Sequence, residues 1–266
     1  MISIVVPAYN EQERIIHTLD NIKNVLADLS IEEYEIFVVD DGSVDNTARV
    51  CEEYIAANSK VKLLLQPQNQ GMGAAILTGL KAANYPKCMF IPGDNDMSLV
   101  TMRQLLALRE VADLVMAVPI NLEGRSTFRN VLSFLYRIMF MVGFGVRINY
   151  INAAGIYPTE KLRELDLCGR RFSLIAEANL KLLRMGITFA EVPAYVKDPP
   201  RTWRTVSLRN LFEVSKNYLR LMRVMHRQKK FKDFSCSRRI YIDFSSPFRK
   251  GNTPIVLTEE QVFGKR

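Results

Sequence analysis

"EIFVVDDGSVDNTARV", residues 35–50, decides the fold. Glu35 to Val39 is a short run rich in β-branched and apolar residues, the pattern of a strand covered on both faces. Asp40 and Asp41 end it, Gly42 and Ser43 turn the chain, and a segment of helical period follows over 45–57. Working outward, the same order recurs. Strands are predicted at Ser3 to Val6, Val61 to Leu65, Cys88 to Ile91 and Leu114 to Val118, and helices over 11–28, 72–84 and 99–110. Strand and helix alternating in this way give an α/β fold, a mostly parallel sheet flanked by helices on both faces.

In such sheets ligands sit beyond the carboxyl ends of the strands, where loops and helix N-termini converge. The unusual residues of this chain fall there. "PAYNE" (7–11) follows the first strand, Asp40 and Asp41 the second, "NQGMG" (69–73) the third and "GDND" (93–96) the fourth.

Past residue 120 the period changes. A helix is predicted over 127–142, a strand near Tyr150 to Ile156, a helix from Leu174 to Met185, and a strand from Thr188 to Val192 that Pro193 would end. A last helix spans 207–227. At 3.6 residues per turn Leu208, Leu211, Phe212, Leu219, Met222 and Met225 share one face, with Arg209, Lys216, Arg220, Arg223 and Arg227 largely elsewhere. A basic, then mixed, tail runs from Gln228.

The 266 residues are 48% hydrophobic, enough for a sizeable core, and carry a net charge of +8. That charge is uneven: residues 1–196 hold 19 Lys/Arg against 22 Asp/Glu, and residues 197–266 hold 17 against 6. A near-neutral body with a cationic appendage does not predict a nucleic-acid binder. It suggests an anionic surface met by one end of the molecule. Cys51, Cys88, Cys168 and Cys236 form no Cys-x-x-Cys pair, which predicts a reducing compartment and no zinc knuckle. "MISIVVPAYNE" reads as a first strand and not a signal peptide. No apolar run approaches the roughly 20 residues that cross a bilayer; "IMFMVGFGV" (138–146), between Arg137 and Arg147, is too short. That stretch and the last helix fit either a protein lying on an anionic membrane or helices packed on a core.

The acidic residues carry the chemistry. Of Asp40 and Asp41, one suits a helix cap and the other a ribose hydroxyl or base N–H, with Asp40, nearer the strand, favoured as the ligand. Gly71 and Gly73 are spaced like the start of G-x-G-x-x-G, but Ile76 takes the third place, so a tight turn with close helix packing competes with a dinucleotide site. No G-x-x-x-x-G-K-[ST] is present. Asp94 and Asp96, one residue apart, repel each other unless a cation joins them. Mg²⁺ or Mn²⁺ bridging to a diphosphate would do so, and a cap on the helix near Leu99 would occupy one of them. Glu177 is a carboxylate on an apolar helix, costly to bury without a partner. His17 and His226 suit the surface, and Trp203 suits either a core or a loop contact.

"VVPAYNE" (5–11), "VVDDGSVDNT" (38–47), "NQGMGAAILTG" (69–79) and the strand-terminal acids together resemble the family-2 glycosyltransferases of GT-A fold, above all the dolichol-phosphate and polyprenyl-phosphate sugar transferases, over residues 2–200. The resemblance implies a metal-dependent inverting hexosyltransferase using Mg²⁺ or Mn²⁺, a nucleotide-diphosphate sugar donor and a polyprenyl-phosphate acceptor, working at the cytoplasmic membrane face. It implies a nucleotide-sugar half (1–120) and an acceptor half (121–200), then a loop and basic helix (201–230) and a tail (231–266). By it Pro7, Tyr9 and Glu11 line the nucleotide pocket with Asp40, Asp41, Gly71 and Gly73, while Asp94 and Asp96 hold the metal. Glu177 matches an acidic position counted with the catalytic group, Arg201 would reach the diphosphate, and Arg125, Arg129 and Ser133 would hold the acceptor phosphate.

The chain departs from the family in two places. Where the family has Asp-x-Asp with Gln two residues on, either Asp94 and Asp96 are the pair and Ser98 replaces Gln, or Pro92 replaces the first Asp and Asp96 the Gln; Asp94 is a ligand in both registers. The family's Arg-x-x-Gly-x-Ser-Lys survives only as "RTWRTVS" (201–207). Another GT-A enzyme with a non-lipid acceptor, and a non-catalytic nucleotide-sugar binder, are the rival expectations.

Overall fold

A computed structural model describes residues 1–120, 127–169, 173–195, 208–227, 237–244, 256–257 and 261–262, with side chains from 131 onward in the long central helix and over 216–225 in the last. The alternation holds through five strands and four helices: β1 (Ile2–Ala8), α1 (Ile15–Asp28), β2 (Tyr34–Asp40), α2 (Thr47–Ala56), β3 (Val61–Leu65), α3 (Met72–Ala82), β4 (Lys87–Phe90), α4 (Leu99–Ala107) and β5 (Leu114–Pro119). Then come α5 (Thr127–Phe144), β6 (Gly155–Pro158), α6 (Thr159–Arg163), α7 (Ser173–Leu183), β7 (Thr188–Ala194), α8 (Leu208–Arg227), β8 (Arg238–Ile242) and β9 (Val256–Leu257).

The strands form one sheet in the order β3-β2-β1-β4-β6-β5-β7-β8-β9. Pairing is parallel between β1 and β2, β2 and β3, and β1 and β4, then again between β5 and β7 and between β7 and β8. Only β6 and the two-residue β9 run against the rest. Side chains alternate between two apolar cores. Val5, Phe90 and Tyr157 face α3, α5 and α7, and Ile4, Val6 and Met89 face α1 and α4. Central strands apolar on both faces are what a covered parallel sheet requires.

Three expectations need correction. The strand near Tyr150 to Ile156 lies later, at Gly155–Pro158, and is inserted antiparallel between β4 and β5. Pro193 does not end β7, which continues to Ala194. Ile120 N–H bonds the Ala194 carbonyl across to β5, so Pro193 faces the other side, where β8 has stopped pairing at Ala190 and no donor is needed. The last helix buries a stripe shifted from the expected one: Met225 is buried and Met222 packs on the core as expected, Asn217 and Leu221 are buried as well, and Leu219, expected inside, is 56% exposed. Leu208, Leu211 and Phe212 lie outside the described side chains.

Candidate active site

The loops after β1 and β2 are laced together. Asn10 N–H donates to Ser43 Oγ (2.9 Å), Val44 N–H to Asn10 Oδ1 (2.9 Å), and Glu11 N–H to Thr47 Oγ1 (2.8 Å). Asp41 ties in the third loop. Its own N–H donates to the Ala8 carbonyl (2.8 Å), and its two carboxylate oxygens accept from the Gln70 and Gly71 N–H groups at 2.8 Å each. Gly71 has φ of 96°, a conformation that glycine adopts without penalty, and it begins α3.

The fourth loop is held just as firmly. Gly93 N–H donates to the Pro7 carbonyl (3.0 Å), and the Thr18 hydroxyl to the Gly93 carbonyl (2.9 Å). A Cβ on Gly93 would stand 3.0 Å from Ile15 Cδ1 and 3.2 Å from Ala8 Cβ, a tight fit that a larger residue meets only if those neighbours shift. Asn95 takes φ of 58° and accepts from Asn21 Nδ2 at 2.9 Å, and Asp94 Oδ1 accepts from Asp96 N–H at 3.1 Å. The cap of α4 is Ser98, whose Oγ accepts from Thr101 N–H at 3.2 Å. Neither aspartate performs that structural job.

Together the loops enclose a cavity of about 220 Å³. Pro7, Ala8, Tyr9 and Glu11 form one wall, Asp41, Asn69, Gly71 and Met72 another, and Pro92, Gly93 and Asp94 the third. Burial, then the charge of Asp96, hold the Asp94 carboxyl above its ordinary pKa, and its bond to the Asp96 N–H only partly opposes them. Burial, then the charge of Asp94, do the same to Glu11 against the pull of Arg14, which lies 3.6 Å from it. Among the described residues no cation pairs with Asp94 or Asp96, and no three of His, Cys, Asp or Glu converge into a closed metal cage. One or two hard oxygen donors in a field of negative charge that Arg14 offsets only in part fit a divalent cation that takes its remaining ligands from phosphate and water.

The structure brings Pro7, Tyr9, Glu11, Asp41, Gly71 and Asp94 to this cavity. Asp40 is not in its wall: its carboxylate accepts from the Ser43 N–H (3.1 Å) and hydroxyl. The roles expected of the aspartate pair are thus rearranged. Asp41 faces the cavity, Asp40 holds the turn, and neither caps α2, whose first N–H and Thr47 hydroxyl reach Asp45 at 2.9 and 2.5 Å. Gly73 is buried in α3, and Asp96 is exposed beside the cavity. Asn69 and Met72 were not singled out in the sequence, although they flank the glycines that were.

Glu177 is elsewhere. It is 1% exposed and engaged by Lys181 Nζ (2.7 Å), Arg220 NH2 (2.5 Å) and the Gly169 N–H (3.0 Å). Its carboxylate joins α7 to α8 and lines no part of the cavity. Ser133 lies half-buried on α5, Arg129 is in α5 outside the described side chains, and Arg125 and Arg201 lie outside the described residues. Cys51, Cys88 and Cys168 are free thiols.

The profile described as Glycosyl transferase family 2 matches residues 3–119, the strands and loops that build this cavity. The chain carries a glycosyl transferase family 2 domain. The domain is similar to a dolichyl-phosphate beta-glucosyltransferase of Dictyostelium discoideum, 36% identical over 99 residues, covering 35% of this chain and 30% of the relative. A dolichyl-phosphate beta-glucosyltransferase of Trichomonas vaginalis is 30% identical over 187 residues, 64% of this chain and 55% of its own. The chain thus spans between about a third and just over half the length of these relatives. The α/β sheet is that of GT-A structures. Glucosyl-3-phosphoglycerate synthase from Mycobacterium tuberculosis, solved with Mn²⁺, uridine diphosphate and phosphoglyceric acid, superposes with a TM-score of 0.58 at 20% identity, covering 82% of this chain and 76% of that one.

Proposed function

We propose that this protein transfers a hexose, with inversion, from a nucleotide-diphosphate sugar to a polyprenyl phosphate. The observation that supports it most is Asp94: a half-buried carboxylate in the cavity wall with a raised pKa, no paired cation among the described residues, and no capping duty because Ser98 has taken it. The similarity to dolichyl-phosphate beta-glucosyltransferases supports the acceptor class.

In this reading the nucleotide-sugar lies against Pro7, Tyr9, Glu11, Asp41 and Gly71, with its diphosphate toward Asp94. Asp94, with Asp96 beside it, would hold Mg²⁺ or Mn²⁺; when bound, that ion neutralises charge on the diphosphate leaving group. An oxygen of the acceptor phosphate attacks the anomeric carbon, and the bond from that carbon to the donor's phosphate oxygen breaks with its electron pair leaving on the nucleotide diphosphate. The attacking phosphate is already ionised, so no general base is required. Positioning and charge compensation then carry the rate, which suits a site of carboxylates on tightly hydrogen-bonded loops. Arg125, Arg129 and Ser133 are assigned to the acceptor phosphate and Arg201 to the donor diphosphate.

The test is transfer of radiolabelled sugar into the organic phase with added polyprenyl phosphate and Mn²⁺, after a thermal-shift screen of UDP, GDP, CDP and dTDP sugars has chosen the donor. Label that appears in the organic phase and vanishes with Asp94→Asn is the expected result. Label confined to water with every donor, despite Mn²⁺-dependent nucleotide binding, would point to a non-lipid acceptor or a binding protein.

A further inference from the structure

The acidic turn after β4 is held from behind by α1. That helix turns one face to it, Ile15, Thr18 and Asn21, each a helical turn from the next. Ile15 packs against Gly93. The Thr18 hydroxyl, 1% exposed, donates to the Gly93 carbonyl at 2.9 Å, and the Asn21 amide donates to Asn95 Oδ1 at 2.9 Å. These two bonds hold the residues on either side of Asp94, and neither Thr18 nor Asn21 lines the cavity.

Neither bond is one that the helix alone would favour. A Thr inside a helix commonly turns its hydroxyl back to the carbonyl four residues earlier. Here that carbonyl, of Arg14, already accepts from the Thr18 N–H at 3.0 Å, and the hydroxyl, 3.2 Å from it, lies closer to Gly93. Asn is a weaker helix former than Ala, so Asn21 suits the contact better than it suits α1. At the far end of its bond, Asn95 takes φ of 58°, a left-handed conformation that Asn adopts more readily than most residues with a side chain. That turn brings the Asp96 N–H to Asp94 Oδ1 at 3.1 Å and so sets the direction of the Asp94 carboxylate.

The tethers are uncharged, and that decides what they do. Asp94 and Asp96 repel each other, which works to open the turn. A Lys or Arg in place of Thr18 or Asn21 would close it by neutralising the acids, and so would compete with a metal ion. A hydroxyl and an amide close it and leave the negative charge for the ion.

We infer that Thr18 and Asn21 are positioning residues for the cation site: through Gly93 and Asn95 they hold Asp94 and Asp96 in the arrangement that receives a divalent ion. The inference rests on the reading of Asp94 and Asp96 as the ligands. Groups that orient metal ligands from behind typically matter about 10- to 100-fold in metal affinity.

The test is titration of the full chain with Mn²⁺ alone, without nucleotide or acceptor, followed by electron paramagnetic resonance, in which the sharp signal of the free ion falls on binding. Asp94→Asn should abolish binding. Asn21→Ala and Thr18→Val should each weaken it about tenfold, and Thr18→Ser, which keeps the hydroxyl, should bind within about twofold of wild type. In an Asn95→Gly background, where Asn21 has lost its Asn95 acceptor, Asn21→Ala should change the affinity by less than about twofold. The thermal midpoint in EDTA should stay within about 2 °C in Asn21→Ala, because the better helix propensity of Ala offsets the lost bond. Unchanged affinity in Asn21→Ala and Thr18→Val overturns the proposal, as does Mn²⁺ binding that survives Asp94→Asn. Affinity lost as fully in Thr18→Ser as in Thr18→Val would make the role one of packing and overturns it too. Wild-type protein that takes up no Mn²⁺ overturns it together with the metal part of the transferase reading, whereas Mn²⁺ binding that follows these expectations with no sugar transfer overturns that reading alone.

Discussion

At the amino ends of the strands Glu35 and Asp113 sit inside sets of donors, whereas at the carboxyl ends Asp94 and Glu11 face a cavity and repel each other. Glu35 accepts from the Ser3 hydroxyl (2.7 Å) and from the Asn84 N–H (2.6 Å) and side-chain amide (2.9 Å). Burial pushes its pKa up, but these bonds outweigh burial and hold it below the ordinary value. Asp113 behaves alike: burial raises it, and the Thr188 N–H and hydroxyl, both at 2.9 Å, with Lys161, bring it below. At the other end burial wins, and Asp94 and Glu11 are raised. Carboxylates of the first kind stabilise the fold. Those of the second kind are offset only in part by Arg14 and cost the fold stability, and this is how a binding site differs from a structural staple.

Glu177 offers the hardest way to break that contrast, because it is buried like a functional acid but bonded like a staple. Glu177→Ala removes the carboxylate that Lys181 and Arg220 share and should cost about 3–5 kcal/mol in urea denaturation. Nucleotide-sugar affinity of the folded protein should stay the same. Equal stability with lost transfer would return Glu177 to the catalytic group.

Asp94→Asn should do the reverse. It removes the charge meant for a metal diphosphate, and transfer in the organic-phase assay should fall about 100- to 1000-fold, equivalent to about 2.7–4 kcal/mol. The metal-free protein should melt about 1–3 °C higher in differential scanning fluorimetry, because a repelled, half-buried charge has gone. A lower melting temperature would place Asp94 with the staples. Glu35→Ala, at the amino end, should cost about 1–3 kcal/mol of stability by leaving the Asn84 N–H and the Ser3 hydroxyl unpaired, with donor binding unchanged by calorimetry.

The smallest effect is on the pH dependence of the metal-free protein. The raised pKa values of Asp94 and Glu11 mean that the folded state takes up protons before the unfolded state does, so stability rises as pH falls from neutral through those raised values. The lowered values of Glu35 and Asp113 act oppositely: their contribution is complete above the unfolded carboxylate pKa and is lost as pH falls through the folded one. Thermal midpoints in EDTA should therefore pass through a maximum on the mildly acidic side and then drop. In Asp94→Asn the initial rise should shrink, which checks the assignment.

Much of the carboxyl-end site was legible in the chain because its residues follow strands whose apolar runs announce themselves. Asp41, Gly71 and Asp94 are found by asking what comes after a buried strand. The pairing of particular carboxylates was not. That Ser98 and not an aspartate caps α4, and that Asp41 reaches the Gln70 and Gly71 amides while Asp40 turns back to Ser43, depend on angles that two neighbouring residues of the same type do not encode. Glu177 looked functional because a charge on an apolar helix demands a partner; Lys181, one turn on, was legible as one, but Arg220 lies on another helix. Leu219 and Leu221 are equally apolar, and only the seat of α8 against Phe140 and Phe144 turns Leu221 inward.

The sequence by itself determined the alternation of buried strands and helices, the parallel run from β1 to β5, and the end of the sheet at which the acids gather, because hydrophobic period and turn residues act locally. Only the tertiary structure decided that the four-residue β6 enters antiparallel between β4 and β5, which carboxylates are neutralised by distant donors, and which face of α5 packs against α8. Those outcomes depend on groups far apart in the chain competing for the same space and the same hydrogen bonds, and that competition is settled only when the whole chain has packed.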